Sequence, residues 1–207
     1  MNIVFLSNNS YWAQQALTFL LQQKVKIITR NEDGQKFTTF PHKYDLGISF
    51  LYSHKIELNE LIKCHWINFH PAPLPEYRGR NVAYRAILDN AQEFGGTIHY
   101  MDETFDTGPL IEVKKFQIDS TYNAGDIINR SHAILYELFK KYIPKFLNGE
   151  NVSSYSNTVG IYPKTSKIND FISLTTEQQQ QVRALTCEPN FYPRINVQGR
   201  IYKIIPE

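Results

Sequence analysis

Short apolar runs alternate with helix-spaced apolar positions through the first two thirds of the chain. Ile3 to Leu6 is a buried-strand pattern, and Asn8 to Ser10 offer capping side chains before Ala13, Leu17, Leu20 and Leu21 at helical spacing. Val25 to Thr29 reads as a second strand, closed by Asn31, Asp33 and Gly34, and Phe37 to His42 reads as irregular. Leu46 to Tyr52 is a third strand, Glu57 to Lys63 a short helix, and Trp66 to Phe69 a fourth strand stopping at His70-Pro71. Asn81 is a candidate cap for a helix reaching Asn90, and Gly95 to Met101 alternates like a strand. From Asn123, the positions Ala124, Ile127, Ser131, Ile134, Leu138, Tyr142 and Phe146 trace one face of a long helix, bent or ended near Pro144.

This order of elements predicts an α/β fold with a mostly parallel, Rossmann-like sheet covered on both faces. The core domain is expected over residues 1–149, with 150–207 as a small C-terminal extension. In that extension a hairpin-like stretch is expected at Thr158 to Tyr162, and Thr175 to Gln178 offers a capping box for a short helix ending at Thr186. No internal repeat is visible.

Composition narrows the picture. At 207 residues and 42% hydrophobic, one sizeable core is expected, with a formal charge of +2 from scattered rather than clustered Lys and Arg. A nucleic-acid surface is therefore not expected, and a small anionic ligand fits better. Cys64 and Cys187 match no zinc or redox spacing, so no disulfide framework and no metal site are expected, and a reducing cytoplasm fits. The opening MNIVFLSNNS lacks the basic leader of a signal peptide, and no run approaches the ~20 apolar residues of a membrane span.

Two segments carry candidate chemistry: INFHPAPLPEYRGR from Ile67 to Arg80, and GGTIHYMDETFDTGPLI from Gly95 to Ile111. Pro71, Pro73 and Pro75 make the first a stiff loop at a strand's carboxyl end, where open α/β sheets bind ligands. Asn68 and His70 share one face of that strand, and Asp106 stands in a turn before Gly108. Together they suit acyl transfer: an amide donor for an oxyanion, an imidazole, and a carboxylate that moves protons. Singly, each is more often a cap, a satisfied polar group or an Asx-turn than a catalytic residue. No activated Ser or Cys accompanies them, so a covalent acyl-enzyme is not expected.

The two blocks resemble the folate-dependent formyltransferase family. Asn68, His70, Pro71, Leu74, Pro75, Tyr77, Arg78 and Gly79 match the first family block. Thr97, His99, Met101, Asp102, Glu103, Asp106, Thr107 and Gly108 match the second. The resemblance implies that Asn68, His70 and Asp106 are catalytic and that 10-formyltetrahydrofolate is the donor. It also implies that folate lies between the segment around Phe50, Leu51 and Tyr52 and the turn bearing Asp102 and Glu103. Plain core and rim packing is the competing reading for Phe50 to Tyr52. His99 is expected near Asp106, either supporting it or as an ordinary strand histidine.

Within that family the sugar-nucleotide branch, acting on dTDP-4-amino-4,6-dideoxy-sugars for cell-surface polysaccharides such as lipopolysaccharide O-antigen, is the most similar. The likeness lies in Tyr77 to Asn81, Tyr162-Pro163-Lys164 and the Arg183 to Thr186 segment. It implies that Arg78 and Arg80 neutralise a diphosphate, and that Tyr77 and Tyr192 contact the acceptor, Tyr192 or Phe191 stacking on the base. Cys187 and Glu188 break that branch's aromatic pattern. Glycinamide ribonucleotide transfer is the runner-up, although Ser7 to Trp12 holds no glycine for close phosphate approach. A formyltetrahydrofolate hydrolase is a further alternative, whereas the methionyl-tRNA branch needs a larger C-terminal domain. A homodimer is expected, paired through the C-terminal part with Tyr155, Ile161, Phe171 and Ile172 as apolar candidates.

Overall fold

A computed structural model describes residues 1–31, 36–158, 175–185, 194–197 and 200–203. The chain opens with β1 (Asn2–Ser7), α1 (Tyr11–Leu21), β2 (Lys26–Asn31), β3 (Leu46–Phe50), the single turn α2 (Leu58–Leu61) and β4 (His65–His70). It continues with α3 (Val82–Leu88), β5 (Glu93–Tyr100), β6 (Leu110–Gln117), α4 (Ala124–Leu147) and α5 (Thr176–Leu185). Strands β7 (Arg194–Val197) and β8 (Arg200–Lys203) pair antiparallel as a separate ribbon. Six strands form the main sheet in the order β2-β1-β3-β4-β5-β6.

Strands β2, β1, β3 and β4 are parallel, and β5 and β6 run antiparallel to their neighbours. The mostly parallel sheet expected from the strand-helix alternation is present, its parallel part being the first four strands. The β5–β6 connection is too short for a crossover helix, so it must reverse the chain. Strand order reverses between β1 and β3, which places a crevice at their carboxyl ends.

Local chemistry explains the elements. Ser10 caps α1 by accepting from the Ala13 N–H, and the helix buries Ala13, Ala16, Leu17 and Leu20 while Leu21 faces solvent. Helix α4 begins with a reciprocal capping box between Asn123 and Asp126 and runs through Pro144 to Leu147. The apolar face predicted for α4 is buried at Ala124, Ile127, Ser131, Ile134 and Leu138, with Phe139 as its hub. Phe139 meets Phe5, Phe19, Phe50 and Phe69 at ring-centroid distances of 6.3, 6.1, 5.4 and 5.1 Å. Burial of each such ring stabilises the fold by roughly 1.5–3 kcal/mol. On the opposite face of the sheet Trp66 lies against Gly47 of β3, where a Cβ would stand 2.1 Å from the indole.

Two contacts set the site's frame. Thr97 on β5 donates to the Ala72 carbonyl at 2.7 Å and accepts from the Leu74 N–H at 3.1 Å, pinning the proline-rich loop to the sheet. Gly108 lets the β5–β6 connection pass the Tyr100 carbonyl, which a Cβ would meet at 1.9 Å. Helix α5 docks on α3, with Gln180 donating to the Ile87 carbonyl and Ala184 buried. The hairpin-like stretch expected at Thr158 to Tyr162 lies, past Thr158, outside the described residues.

Candidate active site

Antiparallel pairing sets Asn68 of β4 directly opposite His99 of β5, so both side chains stand on one face of the sheet. His99 Nδ1 lies 2.7 Å from the Tyr100 carbonyl oxygen, which can only accept, so Nδ1 carries the proton. Nε2 is then an acceptor and receives the Asn68 Nδ2–H at 3.0 Å. This fixes the amide: Nδ2 faces His99 and keeps a second hydrogen for another acceptor. Burial drives the His99 imidazole down to about 4, only partly countered by the Asp106 charge, so His99 is neutral around pH 7.

His70 ends β4, and its Nε2 lies 2.7 Å from the Tyr77 carbonyl oxygen. The same logic puts a proton on Nε2 and turns Nδ1 toward Asp106, whose Oδ1 is 3.5 Å away. The Asp106 carboxylate is held from the other loop, Oδ2 accepting the Gly79 N–H at 2.8 Å. Asp106 adopts φ of +56°, a left-handed conformation that Asp tolerates better than most residues. Asn157 fastens the turn by donating to the Asp106 and Gly108 carbonyls, each at 3.1 Å.

A cleft of about 540 Å³ opens over these groups, a size suited to an organic ligand. Leu51, Tyr52, Ile56, Met101, Asp102, Glu103 and Phe105 form one wall. Asn68, His70, His99 and Asp106 line it too, as do Arg80, Asn81, Asn8 and His132. Within the turn, the Asp102 carboxylate accepts from Thr107 Oγ1 at 2.6 Å and from the Thr104 N–H at 3.1 Å.

Not every residue singled out from the sequence reaches the cleft. Phe50 is fully buried and stacks with Phe139 and Phe69, because the strand's alternation turns it into the core while Leu51 and Tyr52 meet the opening. Arg78 is buried, and its guanidinium donates to the Phe105 carbonyl at 2.8 Å, tying the two motif loops together. Tyr77 packs its ring on Phe94 and Arg85 and contributes its backbone carbonyl to His70. Arg80 does line the cleft and donates to the Ser53 carbonyl at 2.7 Å. Tyr192, with the Pro/aromatic loop around it, lies outside the described residues, as do Ile161, Phe171 and Ile172. Asn81 begins α3 with left-handed backbone and makes no side-chain cap bond.

The residues missed from sequence are Asn8, His132 and Asn157. Asn8 was legible only as a cap, His132 stands one place beyond the Ser131 core position on α4, and Asn157 follows a stretch with no periodic pattern. Among the described residues no group of three His, Cys, Asp or Glu side chains has the arrangement to hold a metal ion.

Comparison with known proteins supports the resemblance read from the two blocks. Residues 56–143 match the formyl transferase family model, a span that contains both motifs and the whole trio. A curated relative, the methionyl-tRNA formyltransferase of Staphylococcus aureus strain Newman, is 34% identical over 87 residues. That alignment takes in 42% of this chain and 28% of the relative, so the chain spans well under a third of that protein's length. Whole-chain likeness appears among solved structures. A 4-N formyltransferase from Francisella tularensis is 21% identical with a TM-score of 0.73, covering 100% of this chain and 97% of that one. The N-formyltransferase of Helicobacter canadensis, solved with folinic acid and dTDP-3-aminofucose, is 20% identical with a TM-score of 0.75, covering 96% and 85%. The chain shares the formyltransferase Rossmann-like fold of these proteins.

Proposed function

We propose that the chain is an N-formyltransferase that moves a formyl group from 10-formyltetrahydrofolate to the amine of a nucleotide-linked amino sugar. The convergence of Asn68, His70 and Asp106 on the lining of the cleft carries this reading. The folate supplies an activated formyl group, and the residues supply orientation, charge and proton handling. The remaining Asn68 Nδ2 hydrogen can donate to the formyl oxygen as negative charge grows there, and the His70 ring stands on the same face of β4 to add a second donor. Asp106, whose Oδ1 lies 3.5 Å from His70 Nδ1, can take the proton that the attacking amine must lose and pass it to the folate nitrogen as the bond from that nitrogen to the formyl carbon breaks. His99, neutral and hydrogen-bonded to Asn68, keeps the amide from turning its oxygen toward the developing charge.

The wall of Leu51, Ile56 and Met101 has the apolar character that a planar pterin requires, with Tyr52 and the turn at Asp102 and Glu103 beside it. Arg80 is the proposed diphosphate contact, since its guanidinium offers donors beyond the one bonded to Ser53. Tyr192 remains the proposed base-stacking partner. Support for a nucleotide-linked amino sugar comes from the Helicobacter canadensis protein, solved with such a compound, and from the whole-chain coverage of that likeness. A homodimer through the C-terminal part is proposed as well, with Tyr155, 53% exposed, as one apolar contact. No helix among the described residues is long and apolar enough to cross a membrane, and the cytoplasm is the proposed workplace.

The test is a thermal-shift panel followed by turnover with 10-formyltetrahydrofolate. A thymidine- or uridine-diphosphate amino sugar should raise the melting temperature, because a ligand at a hundred times its Kd stabilises by about 2.7 kcal/mol. That shift should shrink in Arg80→Ala, and the amine should become formylated. Stabilisation by glycinamide ribonucleotide alone would replace the acceptor, formylation of methionyl-tRNA would move the chain to that branch, and rapid formate release without acceptor would make it a hydrolase.

A further inference from the structure

A histidine outside the trio faces the cleft from the other side of the sheet. His132 sits in the middle of α4 and lines the cleft along with Asn8 and Val82. Helix α4 packs on the sheet face that carries Ile67 and Phe69, whereas Asn68 and His70 alternate onto the opposite face. The cleft therefore wraps over the carboxyl end of β4. The trio comes to the cleft from one face of the sheet, and His132 comes from α4 on the other, near Val82, which packs with Ala124 and Ile127 of that helix.

His70 and His99 have neighbours at both ring nitrogens: the Tyr77 carbonyl and Asp106 for one, the Tyr100 carbonyl and Asn68 for the other. His132 is only half-buried, yet among the described residues no hydrogen-bond or ionic partner engages either of its nitrogens. Its surroundings push the imidazole down to about 4, so it presents one N–H donor and one acceptor and carries no charge around pH 7. Its nitrogens are not among the buried polar atoms that lack a partner, so they are open to the cleft and placed to meet a ligand there.

We infer that His132 positions the acceptor, exchanging a hydrogen bond with a hydroxyl near the reacting amine and so selecting which sugars present that amine to His70 and Asp106. The inference rests on the proposed transferase reading. A hydroxyl is the matching group because it both donates and accepts, while a phosphate calls for a cation such as Arg80. The folate side of the cleft already has its own wall, which leaves the α4 side for the acceptor.

Steady-state kinetics of His132→Leu and His132→Gln with the amino sugar chosen by the panel test this, alongside calorimetric binding of tetrahydrofolate. His132→Leu should raise the acceptor KM by roughly tenfold, the worth of one hydrogen bond, with a smaller change in kcat and tetrahydrofolate affinity within twofold of wild type. His132→Gln should recover much of the loss. Acceptor analogues lacking one hydroxyl at a time should include one that weakens the wild type but not His132→Leu. An unchanged acceptor KM in His132→Leu overturns the inference, and so does loss of tetrahydrofolate binding in both variants, which makes the residue structural. Failure of the wild-type protein to formylate any amino sugar overturns the transferase reading instead.

Discussion

Replacing His99 with Gln tests the claim that this histidine is neutral and locked between Tyr100 and Asn68. The folded imidazole is held down at about 4 by burial, against about 6.5 in an unfolded chain. Between those values the unfolded state binds a proton that the native state refuses, so the native state loses stability as pH falls from 6.5 toward 4. One pH unit corresponds to about 1.4 kcal/mol, which makes the loss between pH 7 and pH 4.5 about 2.5 kcal/mol for this residue. Gln cannot titrate but can accept from Asn68 and donate to Tyr100, so His99→Gln should be less stable than wild type by about 1 kcal/mol at pH 7. At pH 4.5 the order should reverse. Urea unfolding of both proteins at half-unit steps from pH 7 to 4.5 measures the difference directly. A difference that stays constant across that range would refute the buried neutral state, and with it the orientation assigned to Asn68.

Asn68→Ala, His70→Ala and Asp106→Ala should each lower turnover by ~10²-fold or more while thermal unfolding stays cooperative, and near wild-type turnover would remove that residue from the mechanism. Asp106→Asn should retain the bond to the Gly79 N–H and tolerate φ of +56°, so its melting temperature should stay within a few degrees of wild type while turnover falls. Asn157→Ala removes two 3.1 Å bonds to the Asp106 and Gly108 carbonyls and should cost about 1–2 kcal/mol in urea unfolding, with kcat falling more than the acceptor KM rises. Gly47→Ala puts a methyl 2.1 Å from the Trp66 ring, and denaturant unfolding should show a loss of at least about 1–3 kcal/mol.

The parts that the sequence made legible are those with strong periodicity or paired special residues. The face of α4 and its Asn123 cap followed from 3.6-residue spacing, and the stop at His70-Pro71 followed from proline's missing donor. Strand β6 escaped notice because Glu112, Lys114 and Lys115 interrupt its apolar positions. It is the sheet's edge, where lysines are the usual defence against unwanted pairing. Phe50 and Arg78 show the limit in the other direction. Each sits inside a motif segment, yet strand alternation sends Phe50 into the core, and the carbonyl of Phe105 captures Arg78. Proximity to a motif in sequence does not tell which way a side chain turns; cross-strand register does, and only the folded sheet supplies it. The Asn68 to His99 bond is of this kind, since it joins residues 31 positions apart.

The anchoring of Asp106 bears on when the centre comes into being. Its carboxylate is gripped by an amide 27 residues upstream and its carbonyl by a side chain 51 residues downstream, so both ties depend on the tertiary fold. Local signals can shape the turn, but they cannot orient the carboxylate. The reactive arrangement therefore waits on a residue that lies well beyond both motifs. A chain stopped short of Asn157 would keep every residue of both motifs while lacking one of the ties that hold Asp106 in place.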